Sequence, residues 1–209
     1  MSKRKIKMNK NPKVSVMMAS YKHPMWIGEA IESVLNQTFK DIELIIVDDG
    51  SNDDSSKIIK KYAKEDSRIR YKIFPKNKGA VASMQACYNM CSANYLALIS
   101  SDDVWELDKI AQQVPVLDTY KNIGAVFGLP TFIDSNSLPI KVLKNEFSRS
   151  VKLSTRAEWL NFFFKKGNCV CHPTILIRKD CYEKIVFITQ VFAPCLILKC
   201  GCAFFLIMM

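Results

Sequence analysis

Two acidic pairs have the residue types and placing to do chemistry: Asp48-Asp49, followed by Gly50-Ser51, and Asp102-Asp103, preceded by Ser100-Ser101. Each directly follows a run of strand-forming residues, 42–47 in the first case and 95–99 in the second. Carboxylates brought together repel and raise one another's pKa unless a cation lies between them. A hard divalent ion resolves that conflict, and oxygen ligands of this kind suit Mg2+ or Mn2+, which keep waters and bridge to substrate phosphates. The implied ligand is a nucleoside diphosphate derivative, whose departing diphosphate gathers charge that a metal would offset. Ala19-Ser20-Tyr21 and Asn77-Lys78-Gly79 add polar groups after two further strand candidates. Taken singly, each cluster reads equally as a solvated turn or a helix cap, because Asp, Asn, Ser and Gly favour both. The joint pattern is what points to a site.

Such clusters become one site only if the elements before them lie side by side. From residue 13 onward, short apolar runs alternate with helical periodicity, the sequence form of an α/β fold with a largely parallel sheet. Strands are predicted over 14–18, 42–47, 69–74, 95–99 and 123–127. Between them, helices are predicted with Ile27, Ala30, Ile31, Val34 and Leu35 on one face, then with Ile58, Ile59, Tyr62 and Ala63. A third carries Val81, Met84, Tyr88 and Cys91 on one face, and a fourth covers 107–120. Residues 51–54 supply cap chemistry for the second helix. The regularity fades after about residue 130, where 159–164 reads as a short aromatic helix and 174–177 as a strand with Arg178-Lys179 at its exit. In open α/β sheets the ligand lies beyond the C-terminal strand ends, which is where all four polar clusters fall.

Composition excludes several other classes. With 49% hydrophobic residues, 7 Gly and 8 Pro in 209 residues, the chain is neither disordered nor collagen-like, and its length suits one domain. The net charge of +10 invites a nucleic-acid reading, but six of the basic residues lie among the first thirteen positions without an acid. The rest of the chain carries 24 − 20 = +4, so no nucleic-acid partner is expected. The eight cysteines lack the spacing of a stapled secreted scaffold, and no signal peptide precedes them. They are read as reduced thiols of a cytoplasmic protein. Cys169-x-Cys171-His172 and Cys200-x-Cys202 are closer spaced than structural zinc sites favour.

At this resolution of detail the motifs are recognisable. Pro12-Lys13-Val14-Ser15-Val16 through Ala19-Ser20-Tyr21, Ile31-x-Ser33-Val34-Leu35-x-Gln37-Thr38-Phe39 and Glu43-Leu44-Ile45-Ile46-Val47-Asp48-Asp49-Gly50-Ser51 strongly resemble the start of family 2 glycosyltransferases. Asn77-x-Gly79, Ser100-Ser101-Asp102-Asp103-Val104-Trp105 and Lys109-x-x-x-Gln113 fit the same family, in order, and the resemblance runs from about residue 12 to about 185. It implies a GT-A fold and inverting transfer of a sugar from a nucleotide-diphosphate donor, most often a UDP-sugar, to a glycan or lipid-linked acceptor. It also implies Mg2+ or Mn2+, and work in the cytoplasm or at the cytoplasmic face of a membrane. Position by position, Ala19 and Tyr21 line the nucleobase pocket, Asp49 contacts uracil or ribose, and Asp102 holds the ribose side. Ser20 and Gly79 complete the donor-nucleotide set. Asp103 coordinates the metal as the last acid of a DXD-type motif whose commoner first acid is here Ser100. His172 faces the sugar on this reading, the alternative being a satisfied structural histidine.

The resemblance divides the chain into a basic arm at 1–11, a nucleotide-sugar-binding core at 12–130, an acceptor-side part at 131–185 and an apolar tail at 186–209. It breaks where the family's general base is expected, a carboxylate in a segment that begins with Gly-Gly-Phe-Asp or similar. The match holds through Tyr182-Glu183-Lys184-Ile185, and residues 186–209 contain no Asp or Glu and one Lys. The base is therefore unassigned. A shifted reading frame explains so sharp a change; a membrane segment, interrupted by Gln190, Pro194 and Lys199, and a packed core element are the other readings. Sequencing of the gene should reveal an acidic residue followed by Trp in another frame after Ile185. Lack of one in every frame excludes the frameshift. The competing functions are a nucleotide-sugar-binding remnant or a membrane-associated binding module without catalysis. A receiver-type signalling domain carries its acids after the first and third strands, not the second and fourth.

Overall fold

The computed structural model describes residues 11–140, 155–166 and 170–184. The basic arm through residue 10 and the apolar tail 186–209 lie outside these, as do Cys169, Cys195, Cys200 and Cys202. Two compact units are present, one ending at Pro115 and the other beginning at Val116.

The first unit is built on four parallel strands in the order β3-β2-β1-β4: β1 (Val14–Ser20), β2 (Ile42–Asp48), β3 (Ile69–Ile73) and β4 (Tyr95–Ser100). β1 and β2 are buried almost throughout, because sequences such as Val-Ser-Val-Met-Met and Ile-Glu-Leu-Ile-Ile-Val meet apolar groups on both faces of the sheet. In β3 only Ile69 is buried and Tyr71 and Lys72 are exposed, as suits a strand at the sheet's margin. Helices α1 (Ile27–Leu35), α2 (Ser55–Glu65) and α3 (Ala80–Met90) make the crossovers. Ile27, Ala30, Ile31 and Val34 of α1 are buried as their spacing predicts. On α3 the buried residues are Ser83 and Cys87, whereas Val81 is 80% exposed, so of the face expected from Val81, Met84, Tyr88 and Cys91 only Cys91, just past the helix, is buried. Two small side chains permit a closer approach to β1 and β2 than Met and Tyr would.

β2 holds, near its start, a buried charged residue that must be satisfied. Glu43 has no exposed surface and accepts hydrogen bonds from Ser15 Oγ (2.6 Å), Ser92 N (2.7 Å), Ser92 Oγ (2.8 Å) and Arg70 Nη1 (3.1 Å). Burial acts to raise its pKa, and these donors outweigh it, leaving the carboxyl below its ordinary value. The family motif around Gln37 has a similar explanation. Its buried amide donates to Ser33 O (3.1 Å) and Glu106 O (2.7 Å) and accepts from Ile110 N (3.0 Å), so α1 anchors the chain that follows β4.

Helix α4 (Lys109–Thr119) carries Pro115 inside it, where the ring removes the N–H that would bond to the carbonyl of Ala111. In the second unit β5 (Ala125–Val126) and β6 (Leu176–Arg178) pair antiparallel, and α5 spans Arg156–Lys166. β5 is shorter than the predicted 123–127. Thr174 belongs to a 3-10 turn, His172–Thr174, and not to the strand, since Pro173 at its start favours the turn. Arg178 leaves β6 by donating to the carbonyls of Ile123 (2.8 Å), Tyr120 (3.2 Å) and Leu117.

Candidate functional site

The strand order makes a switch point. After β1 the chain moves to β2 and then β3, and β4 returns to the other side of β1, so the loops leaving β1 and β4 diverge and leave a crevice at their C-terminal ends. A cavity of about 250 Å3 occupies it. Ala19, Ser20 and Tyr21 from the end of β1, Asp49 just after β2, Gly79 from the entry to α3 and Asp102 just after β4 all line this cavity. These are six residues named on sequence grounds, brought together from positions spread over more than eighty residues of chain.

The acidic pair after β2 separates into two roles. Asp48 is fully buried and accepts from Ser51 N (2.9 Å) and Ser51 Oγ (2.7 Å), which makes it a turn-closing group and not half of a cation site. Asp49 turns toward the cavity, with Oδ1 accepting from Lys78 N (2.7 Å) and Oδ2 from Gly79 N (2.9 Å). Its carboxylate thus holds the loop that starts α3, and Asn77 Oδ1 accepts from the same Gly79 N–H (3.1 Å). Gly50 (φ 72°) lets this turn form: a Cβ there would meet Lys76 C at 2.5 Å and Asn77 N at 2.8 Å. Gly79 (φ 90°) caps α3, which has no side-chain cap, so the first amides of that helix are left facing the cavity end.

The second pair is different. Asp102 is half exposed, and Asp103 is partly buried with its pKa raised, first by burial and then by the charge of Asp102; hydrogen bonding from Ser100 opposes both. The His23 ring offsets this only in part, and an oxygen-loving divalent ion would supply further compensation. Among the described residues no three His, Cys, Asp or Glu side chains converge, so an ion held here would complete its shell from the ligand's phosphates and water, the usual arrangement for Mg2+.

His23 also lines the cavity and was not singled out on sequence grounds. Its Nδ1 lies 2.7 Å from Ser101 Oγ and 3.9 Å from Asp102 Oδ1, and its ring meets Trp26 edge-on at 5.8 Å. No signal in a lone histidine between Lys22 and Pro24 marks it; only the folding of β1 beside β4 does. His172 belongs to the second unit, where it opens the 3-10 turn before β6 with an exposed side chain. Cys87, Cys91, Cys171 and Cys181 are not in disulfides. Burial pushes Cys87 up to about 12, which leaves it unreactive.

A parallel α/β core with an acidic cavity at its switch point places this chain among open-sheet proteins that hold ligands beyond their strand ends, and comparison with known proteins makes the class specific. Residues 15–185 match Glycosyl transferase family 2, and the chain belongs to that family. An uncharacterized glycosyltransferase of Methanocaldococcus jannaschii is 31% identical over 178 residues, which cover 84% of this chain and 59% of that protein. Staphylococcus aureus TarS (residues 1–349), solved with UDP-GlcNAc, superposes with a TM-score of 0.64 at 17% identity, covering 82% of this chain and 47% of TarS. A mannosyltransferase from Pyrobaculum calidifontis, solved with GDP-Man and Mn2+, gives 0.60 at 13% identity, covering 84% and 47%. The fold is the expected α/β, GT-A type. The chain spans less than two thirds of the relatives it matches, and the family match stops at residue 185, where the motifs stop.

Proposed function

We propose that the cavity binds a nucleotide-diphosphate sugar, a UDP-sugar in the first instance, and that the chain serves inverting transfer of the sugar to a glycan or lipid-linked acceptor. The observation that carries this reading is the single cavity wall formed by Ala19, Tyr21, Asp49, Gly79 and Asp102 at the switch point of a parallel sheet. Base and ribose would sit against the β1 end and Asp49, with the half-exposed Tyr21 ring as a stacking face. Asp103, with Asp102 beside it, would hold Mg2+ or Mn2+, which supplies Lewis-acid neutralisation of the diphosphate as it leaves. The Asp102 carboxylate would orient the ribose side, held in place by the contact from His23. His172 is proposed to face the sugar or acceptor. The acceptor hydroxyl must yield its proton to a base within hydrogen-bond reach, and no described residue is assigned that part.

Attachment to a membrane surface, at its cytoplasmic face, is part of the same proposal. No helix among the described residues is long and apolar enough to cross a membrane; the basic arm would supply electrostatic attraction to an anionic surface.

Calorimetric titration of the chain with UDP and UDP-sugars in Mn2+ tests the reading. Binding that disappears with chelator and falls at least tenfold in Asp103→Ala is expected; absence of binding refutes the donor reading, and binding unaffected by chelator refutes the metal's part in it. Product assays with candidate acceptors then separate a working transferase from a binding remnant.

A further inference from the structure

Buried hydroxyls are ordinarily hydrogen-bonded, because an unpaired one loses its water without replacement. Ser20 and Ser83 break this rule in the same place. Ser20 is 2% exposed and Ser83 has no exposed surface, neither Oγ has a hydrogen-bond partner, and both residues line the cavity. They come from different elements, Ser20 from the last position of β1 and Ser83 from the first turn of α3.

Local structure does not account for them. Ser83 N donates to Gly79 O (3.2 Å), but its hydroxyl leaves that carbonyl alone. Alanine at position 83 would be the better helix former and would need no partner. Ser20 is engaged only through its backbone, its carbonyl accepting from Asp49 N (2.8 Å). The α3 amides are uncapped on the same side, and the Asp49 carboxylate, which can only accept, stands next to them. The wall therefore offers hydroxyls that donate or accept beside a carboxylate that accepts. A uracil edge carries a ring N–H between two carbonyl oxygens and is matched by that set.

We infer that Ser83, together with Ser20, is a specificity residue of the donor site, its hydroxyl completed by a polar atom of the bound nucleoside. This rests on the donor reading above. The two hydroxyls are a liability in the empty protein and an asset in the complex, so their removal should move stability and affinity in opposite directions.

Ser83→Ala and Ser20→Ala in the full chain test this by thermal unfolding without ligand and by titration with UDP, and with CDP as the base-edge control, in Mn2+. Each variant is expected to melt at or above the wild-type temperature, to bind UDP about tenfold more weakly, and to narrow the preference for UDP over CDP. UDP affinity within twofold of wild type, as follows if an ordered water satisfies the hydroxyls, overturns the inference while leaving the donor reading intact. A lowered melting temperature also overturns it, since that marks a packing role. A wild type that binds no nucleotide overturns the donor reading and this inference with it.

Discussion

At the scale of single residues, two groups outside the cavity lining shape the chain's response to pH. Glu43 is held below its ordinary pKa by Ser15, Ser92 and Arg70 despite burial. A depressed acid contributes stability above its unfolded value, and that contribution is lost as pH falls through the lower, folded value. Glu43→Gln should cost about 2 to 3 kcal/mol at neutral pH and flatten the acid limb of a stability profile measured by denaturant titration below pH 5. Lys109 gives the alkaline counterpart. Its ammonium donates to Gln113 Oε1 (2.9 Å), 4.0 Å from the centre of the Trp105 ring, and burial lowers its pKa to about 7. Since the unfolded lysine titrates near its ordinary value, the unfolded chain binds more protons between about pH 7 and 10, and stability should rise across that window. Lys109→Met should abolish the rise, which a melting series over that range will register.

At the scale of elements, legibility followed burial. β1, β2 and β4 were readable because their apolar runs are buried on both faces, and α1 because its stripe is continuous. The facing of α3 is not legible, because Ser83 is buried against a cavity and Val81 is exposed, an arrangement that periodicity of apolar residues cannot express. The cavity residues are legible as strand ends, whereas the sequence leaves open whether Asp48 closes a turn or faces a ligand, because the two kinds of Asp are identical in type and adjacent in sequence. The entry to α3 also sets a prediction. Gly50→Ala meets backbone at Lys76 and Asn77 as well as positive φ, whereas Gly79→Ala meets only strain, with nothing within 4 Å. Urea unfolding should show Gly50→Ala costing about 2 kcal/mol or more and Gly79→Ala about 1 kcal/mol. Equal losses would mean that φ alone governs both.

At the scale of the molecule, six of the eight positions named from the sequence line one cavity whose wall is drawn wholly from the first compact unit. Ligand binding there should stabilise the folded chain as a whole by mass action. With Mn2+ present and UDP at about 100 times its dissociation constant, the stabilisation is about 2.7 kcal/mol, on the order of 5 °C or more in melting temperature. Chelation should erase the shift. A shift unaffected by chelator would remove the metal from the proposal while retaining the nucleotide.

The divergence of Asp48 and Asp49 has a consequence for timing. One carboxylate ties down the residues just after β2, and its neighbour ties down amides about thirty positions later, through two hydrogen bonds at 2.7 and 2.9 Å. The segments at 49–51 and 77–79 are therefore clasped to one rigid strand end and cannot loosen independently. How long a ligand stays should be governed by the rate at which that clasp opens, so the cavity is expected to exchange its contents on the schedule of β2, slower than the exposed loops that frame it.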